Sequence, residues 1–265
     1  MQKEVIVKVE NVIRKFGSRT ILNGINLEIF RGETFVIMGG SGCGKSTLLR
    51  HMIGALKPDS GKISMFGKDL TTLSEDEMDV IRKKFGISFQ SSALLDSLTV
   101  GENVSLPLRE HTRLDKSVID IVIKMKLELV GLRGFENLLP SQLSGGMRKR
   151  VGLARAISLD PEIVFYDEPT AGLDPIVGGV IDKLILDLSQ KLSITSVVVT
   201  HDMNSVFRIA DRIAMLYEGR VVEVGTKDEI RNTKNELVRQ FVSGSPDGPV
   251  SFFQQKDDYL EQLTK

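Results

Sequence analysis

The chain has 265 residues, and its 35 lysines and arginines balance 35 aspartates and glutamates, so no global field draws it to nucleic acid or acidic lipid. With 41% hydrophobic and 26% charged residues it is too apolar for a disordered chain, and its length suits one large domain or two small ones. The longest charge-free stretches, residues 34–44 and 137–147 among them, are eleven residues each against about 20 for a spanning helix, and the single Cys43 after a charged, leaderless start predicts a reducing, cytosolic setting.

Val5, Val7 and Val9 alternate with Ile6, Lys8 and Glu10, and residues 25–29 alternate in the same way, which predicts two half-buried strands in an antiparallel edge sheet. From Phe35 the pattern changes to short continuous apolar runs at residues 35–38, 163–166, 197–199 and 213–216, as expected of parallel strands buried on both faces. Helical spacing separates several of them, as in Ile181, Leu184, Ile185 and Leu188 before the run at Val197. Residues 93–159 carry little strand pattern and much helical spacing, as at Val118, Ile121, Val122 and Met125, and read as a helical insert. The Glu218-Gly219 turn between two short apolar strands predicts a hairpin, and Ser-Pro-Asp-Gly-Pro after Gly244 breaks regular structure.

Within this frame, Gly39-Gly40-Ser41-Gly42-Cys43-Gly44-Lys45-Ser46 fits G-x-x-x-x-G-K-[ST], follows an apolar strand and opens a helical pattern over residues 47–53. The glycines allow a tight loop whose N–H groups converge on phosphate oxygens. The helix N-terminus adds a favourable dipole, and Lys45 supplies a point charge for the β- and γ-phosphates. Ser46 offers its hydroxyl to Mg²⁺. Cys43 is either a reactive thiol beside the phosphates or a small side chain that the loop tolerates, and His51 is expected partly buried or solvated.

The run 163–166 ends in Asp167 and Glu168. Ligands of a parallel sheet sit beyond the carboxyl ends of its strands, where the glycine loop also lies, so this pair is expected to face the phosphates. Asp167 can then reach the Mg²⁺ shell while Glu168 orients an attacking water or takes its proton. The run 197–199 ends in Thr200-His201-Asp202, and His201 either bonds a γ-phosphate oxygen beside Glu168 or is structural. Gln90, after the apolar residues 85–89, is a neutral donor and acceptor able to meet Mg²⁺ or water.

Leu143-Ser144-Gly145-Gly146-Met147, followed by Arg150-Val151 and Ala154-Arg155-Ala156, adds a second anion site. Ser144 and the two glycines put bare N–H groups at the start of a helix with the apolar stripe Met147, Val151, Ala154 and Ile157. Together with the glycine loop, Gln90, Asp167-Glu168, Ala171-Gly172-Leu173-Asp174 and His201, this ordered set resembles the nucleotide-binding subunit of ABC transporters over about residues 5–225. The resemblance implies an ATP hydrolase that uses ATP and Mg²⁺. It implies an α/β fold: a P-loop NTPase core with a mostly parallel sheet, an N-terminal antiparallel β subdomain and an inserted α-helical subdomain. The expected division is an ATPase domain at 1–244, with core at 1–92 and 160–244 and insert at 93–159, then a tail at 245–265.

The same resemblance implies a head-to-tail homodimer around two ATP, the Ser144 loop of one subunit completing the glycine-loop site of the other. It makes Lys45, Ser46 and Thr47 phosphate and Mg²⁺ ligands, Gln90 the Mg²⁺ and water sensor, and Glu168 the catalytic carboxylate. It makes Ser144 and Gly146 contacts to the opposite γ-phosphate, Asp174 an interface residue and His201 the switch histidine. Phe16 falls where the family stacks an aromatic on adenine; its other reading is a core residue after the first strand. Met147 stands where glutamine is usual, and Gly172 where alanine is more usual.

Gln90-Ser91-Ser92-Ala93-Leu94-Leu95, Thr99-Val100-Gly101-Glu102-Asn103-Val104, Pro107-Leu108-Arg109-Glu110-His111-Thr112, Met147 and Asp247-Gly248-Pro249-Val250 resemble the Mla/Mce lipid-transport branch. That implies separate transmembrane permease subunits, a lipid-binding Mce-type protein, a small accessory subunit, no nucleic acid, and a place at the cytoplasmic face of the inner membrane. Ala93, Leu94, Leu95 and Leu98 are either the groove for the permease's coupling helices or a buried face of the insert. Phe252, Phe253, Tyr259, Leu260 and Leu263 either clasp the second ATPase subunit, cap their own domain or belong to a disordered terminus. The rivals are a non-transport ABC ATPase and a nucleotide-gated regulatory subunit without turnover, and Glu168 with His201 argues against the latter.

Overall fold

The computed structural model describes residues 4–250, so Phe252, Phe253, Tyr259, Leu260 and Leu263 lie outside the described residues. β1 (Val5–Phe16) and β2 (Arg19–Phe30) form the expected antiparallel pair, with Ile6 and Val7 both buried where the ladder shifts register. β3 (Thr34–Met38), buried throughout, leads into α1 (Lys45–Met52). β4 (Ser60–Met65) and β5 (Lys68–Asp69) extend the first sheet to the order β2-β1-β4-β5. A Ser74–Glu77 capping box opens α2 (Glu75–Arg82), which precedes β6 (Phe85–Ser88).

Helices then take over. α3 (Val100–His111) starts at a Thr99–Glu102 capping box, α4 (Lys116–Leu129) follows, and a 3-10 turn at Pro140–Gln142 precedes α5 (Gly145–Ala156). The spacing at Val118, Ile121 and Met125 identifies α4 correctly, but these residues are exposed; its buried side is Ile119, Ile123 and Leu127. The chain continues through β7 (Ile163–Asp167), α6 (Pro175–Leu192), β8 (Thr195–Thr200), α7 (Met203–Ile209), β9 (Arg212–Tyr217), β10 (Arg220–Thr226), α8 (Lys227–Arg231) and α9 (Glu236–Ser243). Among the described residues no helix is long and apolar enough to cross a membrane.

The second sheet has the order β10-β9-β3-β8-β7-β6. Its neighbours from β9 to β6 are parallel, and β10 is antiparallel to β9 through the left-handed Glu218-Gly219 turn. Alternation within each strand feeds two cores: Phe35, Ile37, Phe165, Val197 and Val199 face α1 and the antiparallel sheet, while Val36, Met38, Val164 and Val198 face the helices of residues 100–157 and α6. Each fully buried valine stabilises the fold by about 1.5–3 kcal/mol, so runs apolar on both faces favour a sheet covered on both sides. Parallel alignment brings the carboxyl ends of β3, β6, β7 and β8 to one edge, and the chemistry-bearing residues follow directly from those ends.

Candidate functional site

At the end of β3 the chain enters the glycine loop, and Gly44 precedes α1 in a left-handed conformation. No side chain caps α1, which leaves its first-turn N–H groups to an anion. Lys45 Nζ donates to the carbonyls of Gly39 and Gly40 at 2.8 and 2.9 Å. Cys43 is buried, and burial pushes its thiol pKa up against the pull of Lys45, which fits the small-side-chain reading over a reactive thiolate. His51 is fully buried: Nδ1 donates to the Thr47 carbonyl at 2.7 Å, Nε2 has no hydrogen-bond partner, and burial holds the ring's pKa below 6.5.

Across the loop, Ser46 Oγ donates to Asp167 Oδ1 at 3.1 Å. Burial pushes the Asp167 pKa up, opposed by the Ser46 hydrogen bond and reinforced by Glu168. Glu168 is 8% exposed and has a left-handed backbone (φ +47°), a conformation that costs a non-glycine residue about 1–3 kcal/mol unless its surroundings hold it. Its N–H donates to the Val199 carbonyl at 2.9 Å, and its Oε1 accepts from His201 Nδ1 at 2.9 Å. His201, at the end of β8, keeps 60% of its side chain exposed.

Phe16 is 48% exposed, which removes the core reading, and the Arg14 guanidinium lies 4.8 Å from its ring centroid. A cavity of about 450 Å³ collects Phe16, Ser41, Gly42, Gly44, Lys45, Ser46, Thr47, Gln90, Glu168 and His201. Arg19 and Ile21 also line it and were not singled out from the sequence. The size and the convergence of polar groups suit a nucleotide-sized ligand. Gly40 and Cys43 instead border a second cavity of about 760 Å³, with Tyr217, Leu237 and Phe241.

Ser144, Gly145, Gly146 and Asp174 do not line the 450 Å³ cavity. Ser144 caps α5, its Oγ accepting from the Met147 N–H at 3.2 Å, and Ser144 and Gly145 are exposed. A Cβ on Gly146 would come within 2.5 Å of Val177 Cγ1, so this position requires glycine for α5 to rest on α6. Met147 is half-buried against the core. Asp174 caps α6, its Oδ1 accepting from the N–H groups of Ile176 and Val177 at 3.0 Å. Gly172 has φ +77°, a left-handed turn that alanine would strain.

An apolar cavity also lies beside the helices of residues 100–157. A cavity of about 500 Å³ is lined by Phe85, Phe89, Pro107, His111, Arg155 and Leu159 with their neighbours, and by none of Ala93, Leu94, Leu95 or Leu98. Ala93 and Leu95 are exposed, and Asn103 turns this stretch by bonding both the N–H and the carbonyl of Leu95 at 2.8 and 3.1 Å. Leu94 packs against the core and Leu98 is half-buried, so the stretch is not a uniformly buried face.

Sequence reasoning also missed Lys149. It is 6% exposed on α5, and Nζ donates to the main-chain carbonyls of Gln90 at 2.5 Å and Glu168 at 3.2 Å. Burial lowers its pKa, while Glu168 and Asp167 pull it back up. The available signal was its place with Gly152, Leu153 and Ala156 in a buried stripe at i, i+3, i+4 and i+7. Arg155 grips the same loop, donating to the carbonyls of Ser92 and Ala93 at 2.6 Å.

The Ser46 hydroxyl, Asp167 carboxylate and Gln90 amide are hard oxygen donors, which suit a Mg²⁺ that also takes phosphate oxygens and water. Among the described residues no group of three or more His, Cys, Asp and Glu is placed to hold a metal ion by itself.

The family profile described as ABC transporter matches residues 22–171. The chain is 43% identical to the intermembrane phospholipid transport system ATP-binding protein MlaF of Haemophilus influenzae, over 97% of this chain and 98% of that protein. It is 39% identical to the probable ribonucleotide transport ATP-binding protein mkl of Mycobacterium tuberculosis, over 96% of this chain and 71% of that protein. Among solved structures, a dimeric post-hydrolysis state of the ATP-binding cassette MJ0796 bound to ADP and Pi is similar with TM-score 0.76 and 35% identity, covering 84% of this chain and 99% of that one. The cbiO1 protein of Clostridium perfringens, part of the ABC transporter complex cbiONQ, is similar with TM-score 0.80 and 30% identity, covering 99% of this chain and 100% of that one. The chain therefore belongs to the ABC transporter family, as one of its ATP-binding and ATP-hydrolysing subunits.

Proposed function

We propose that this chain powers phospholipid transport across the bacterial envelope as the ATPase of a complex with separate permease subunits. The observation that carries the reading is 43% identity, over almost the whole length of both chains, to a protein named for intermembrane phospholipid transport. The complex includes a Mce-type lipid-binding protein and a small accessory subunit, and the ATPase works at the cytoplasmic face of the inner membrane. Within the chain, residues 1–92 and 160–244 act as the nucleotide-binding core, 93–159 as the insert, and 245–265 as a partner-docking tail. The 500 Å³ cavity around Phe89, Pro107 and Arg155 is our assignment for the permease contact.

In the mechanism, the N–H groups of the glycine loop and α1 bind the phosphates, Lys45 exchanges its contacts with Gly39 and Gly40 for phosphate oxygens, and Phe16 stacks on adenine. Ser46, Asp167 and Gln90 would hold Mg²⁺, which when bound supplies charge compensation for the phosphates. Glu168 orients the attacking water and accepts its proton. His201 with Nδ1–H donated to Glu168 leaves Nε2 as an acceptor. Donation to a γ-phosphate oxygen then requires either a doubly protonated ring or release of Glu168, so the His201–Glu168 contact is where nucleotide binding meets catalysis. Ser144 and Gly146 of a second copy, with Asp174 at the junction, close the site from the opposite side.

A second reading, ribonucleotide transport, is favoured by the 39% identity to proteins of that name. The test is purification of the tagged full chain from its own membranes in mild detergent. Co-purification of a permease, a Mce-type protein and phospholipid, with ATP hydrolysis changed by added phospholipid vesicles, is expected. A complex whose hydrolysis responds to ribonucleotides and not to phospholipid vesicles overturns the lipid assignment.

A further inference from the structure

We infer that Lys149 is a positioning residue that passes engagement of the Ser144 helix terminus to the catalytic carboxylate of the same chain. Its ammonium, buried on α5 one turn beyond Gly145, joins two carbonyls from separate strands of the sheet: Gln90, just past β6, and Glu168, just past β7. The Glu168 carbonyl belongs to a residue held at φ +47°. A left-handed glutamate persists only where neighbours over-determine it, and here its N–H is held by Val199, its side chain by His201 and its carbonyl by Lys149 and the Ala171 N–H. Of these holds, the one from Lys149 comes from α5.

The helix is firmly seated against what it could transmit. Arg155, two turns along, takes the carbonyls of Ser92 and Ala93, both of which have left-handed backbones, and Gly152 packs on Ser92. Gly146 rests on Val177. A shift of α5 therefore moves the Gln90 loop and the Glu168 carbonyl together, because packed elements transmit displacement where flexible ones absorb it. The inference rests on the head-to-tail reading, in which the Ser144 end of α5 touches the nucleotide of the other subunit. Lys149 then links that nucleotide to the Glu168 of its own chain, and the two ATP sites of the pair are coupled.

The test compares Lys149→Arg, Lys149→Gln and Lys149→Met in the assembled complex, reading ATP turnover against ATP concentration and the binding of a fluorescent ATP analogue. Lys149→Met is expected to lower kcat by at least about fivefold and to move the ATP dependence from cooperative to hyperbolic. Analogue binding should stay within about twofold of the unsubstituted complex, which separates a positioning role from a general loss of structure. Turnover should order Arg above Gln above Met, following the donors each can offer to the two carbonyls. Unchanged kcat and cooperativity in Lys149→Met, equal losses in all three, or a parallel loss of binding and turnover overturns the inference. Should Lys149→Met not assemble, the Arg and Gln complexes decide: equal turnover overturns it. Ser144→Arg in the same preparation judges the head-to-tail reading separately, since retained turnover there counts against that reading, while the Lys149 series still judges the hold on Glu168.

Discussion

Two helix N-termini in this chain are built for anions, and they are furnished very differently. The start of α1 lies within reach of Lys45, the Ser46–Asp167 hydrogen bond and the Glu168–His201 pair, and it opens on a 450 Å³ cavity that also holds Phe16 and Gln90. The start of α5 has the exposed Ser144 and Gly145 and a cap in which its own serine accepts from Met147, and it does not line that cavity. The backbone physics is the same at both ends. The contrast teaches that a helix terminus supplies binding, whereas reaction needs the side chains that neighbouring strand ends bring; in the proposed head-to-tail pair, α5 is the half of a site that a second copy completes.

The largest expected effect removes the chemistry on the α1 side. Glu168→Gln should lower steady-state ATP hydrolysis by about 10²–10⁴-fold while ATP binding persists, and phosphate release from the assembled complex measures it. Ser144→Arg should abolish most turnover from the other side by filling the α5 terminus, without weakening ATP binding to the isolated chain. A loss of binding there would erase the distinction between the two termini. Phe16→Ala sharpens the α1 side alone: losing a stacked base costs about 1–3 kcal/mol, so KM for ATP should rise roughly tenfold with kcat little changed.

The smallest effect is a pH dependence that belongs to α1. Burial holds the His51 pKa below 6.5 in the folded chain, so the unfolded chain takes up the proton first. The stabilisation is complete above the unfolded value and is lost as pH falls through the folded one, at up to about 1.4 kcal/mol per pH unit. Denaturant titrations at about pH 7 and about pH 5 should show a larger loss for the unsubstituted chain than for His51→Gln, and equal losses would contradict the assignment.

Much of the architecture was legible from residues alone. The runs at residues 35–38, 163–166, 197–199 and 213–216 became strands because only a sheet covered on both faces buries them fully, and the groups following three of those strands became the site. Helix α4 was legible as a helix but not in its orientation. Its Val118, Ile121 and Met125 and its Ile119, Ile123 and Leu127 are equally apolar, and packing, not periodicity, chose between them. Lys149 was missed for the opposite reason: a lysine between two arginines reads as solvated, and its burial depends on carbonyls from residues 59 and 19 positions away. The stretch at Ala93, Leu94, Leu95 and Leu98 was open to two readings, a groove implied by the family resemblance or a buried face of the insert, and the side-chain bonds of Asn103, which set its course, have no signature in local spacing.

The central claim, that α5 of one copy completes the α1 site of another, is tested most directly by mixing two inactive variants. Complexes made with Glu168→Gln alone or Ser144→Arg alone should each be inactive. Co-assembly of the two gives mixed pairs in which one site combines an intact Glu168 with an intact Ser144 from the other subunit. ATP hydrolysis clearly above that of either parent is expected, with about a quarter of the unsubstituted rate as its ceiling, because half of the random pairs are mixed, each has one whole site of two, and the intact Glu168 of that site belongs to the subunit whose own α5 terminus is blocked. Mixtures as inactive as their parents would contradict the claim.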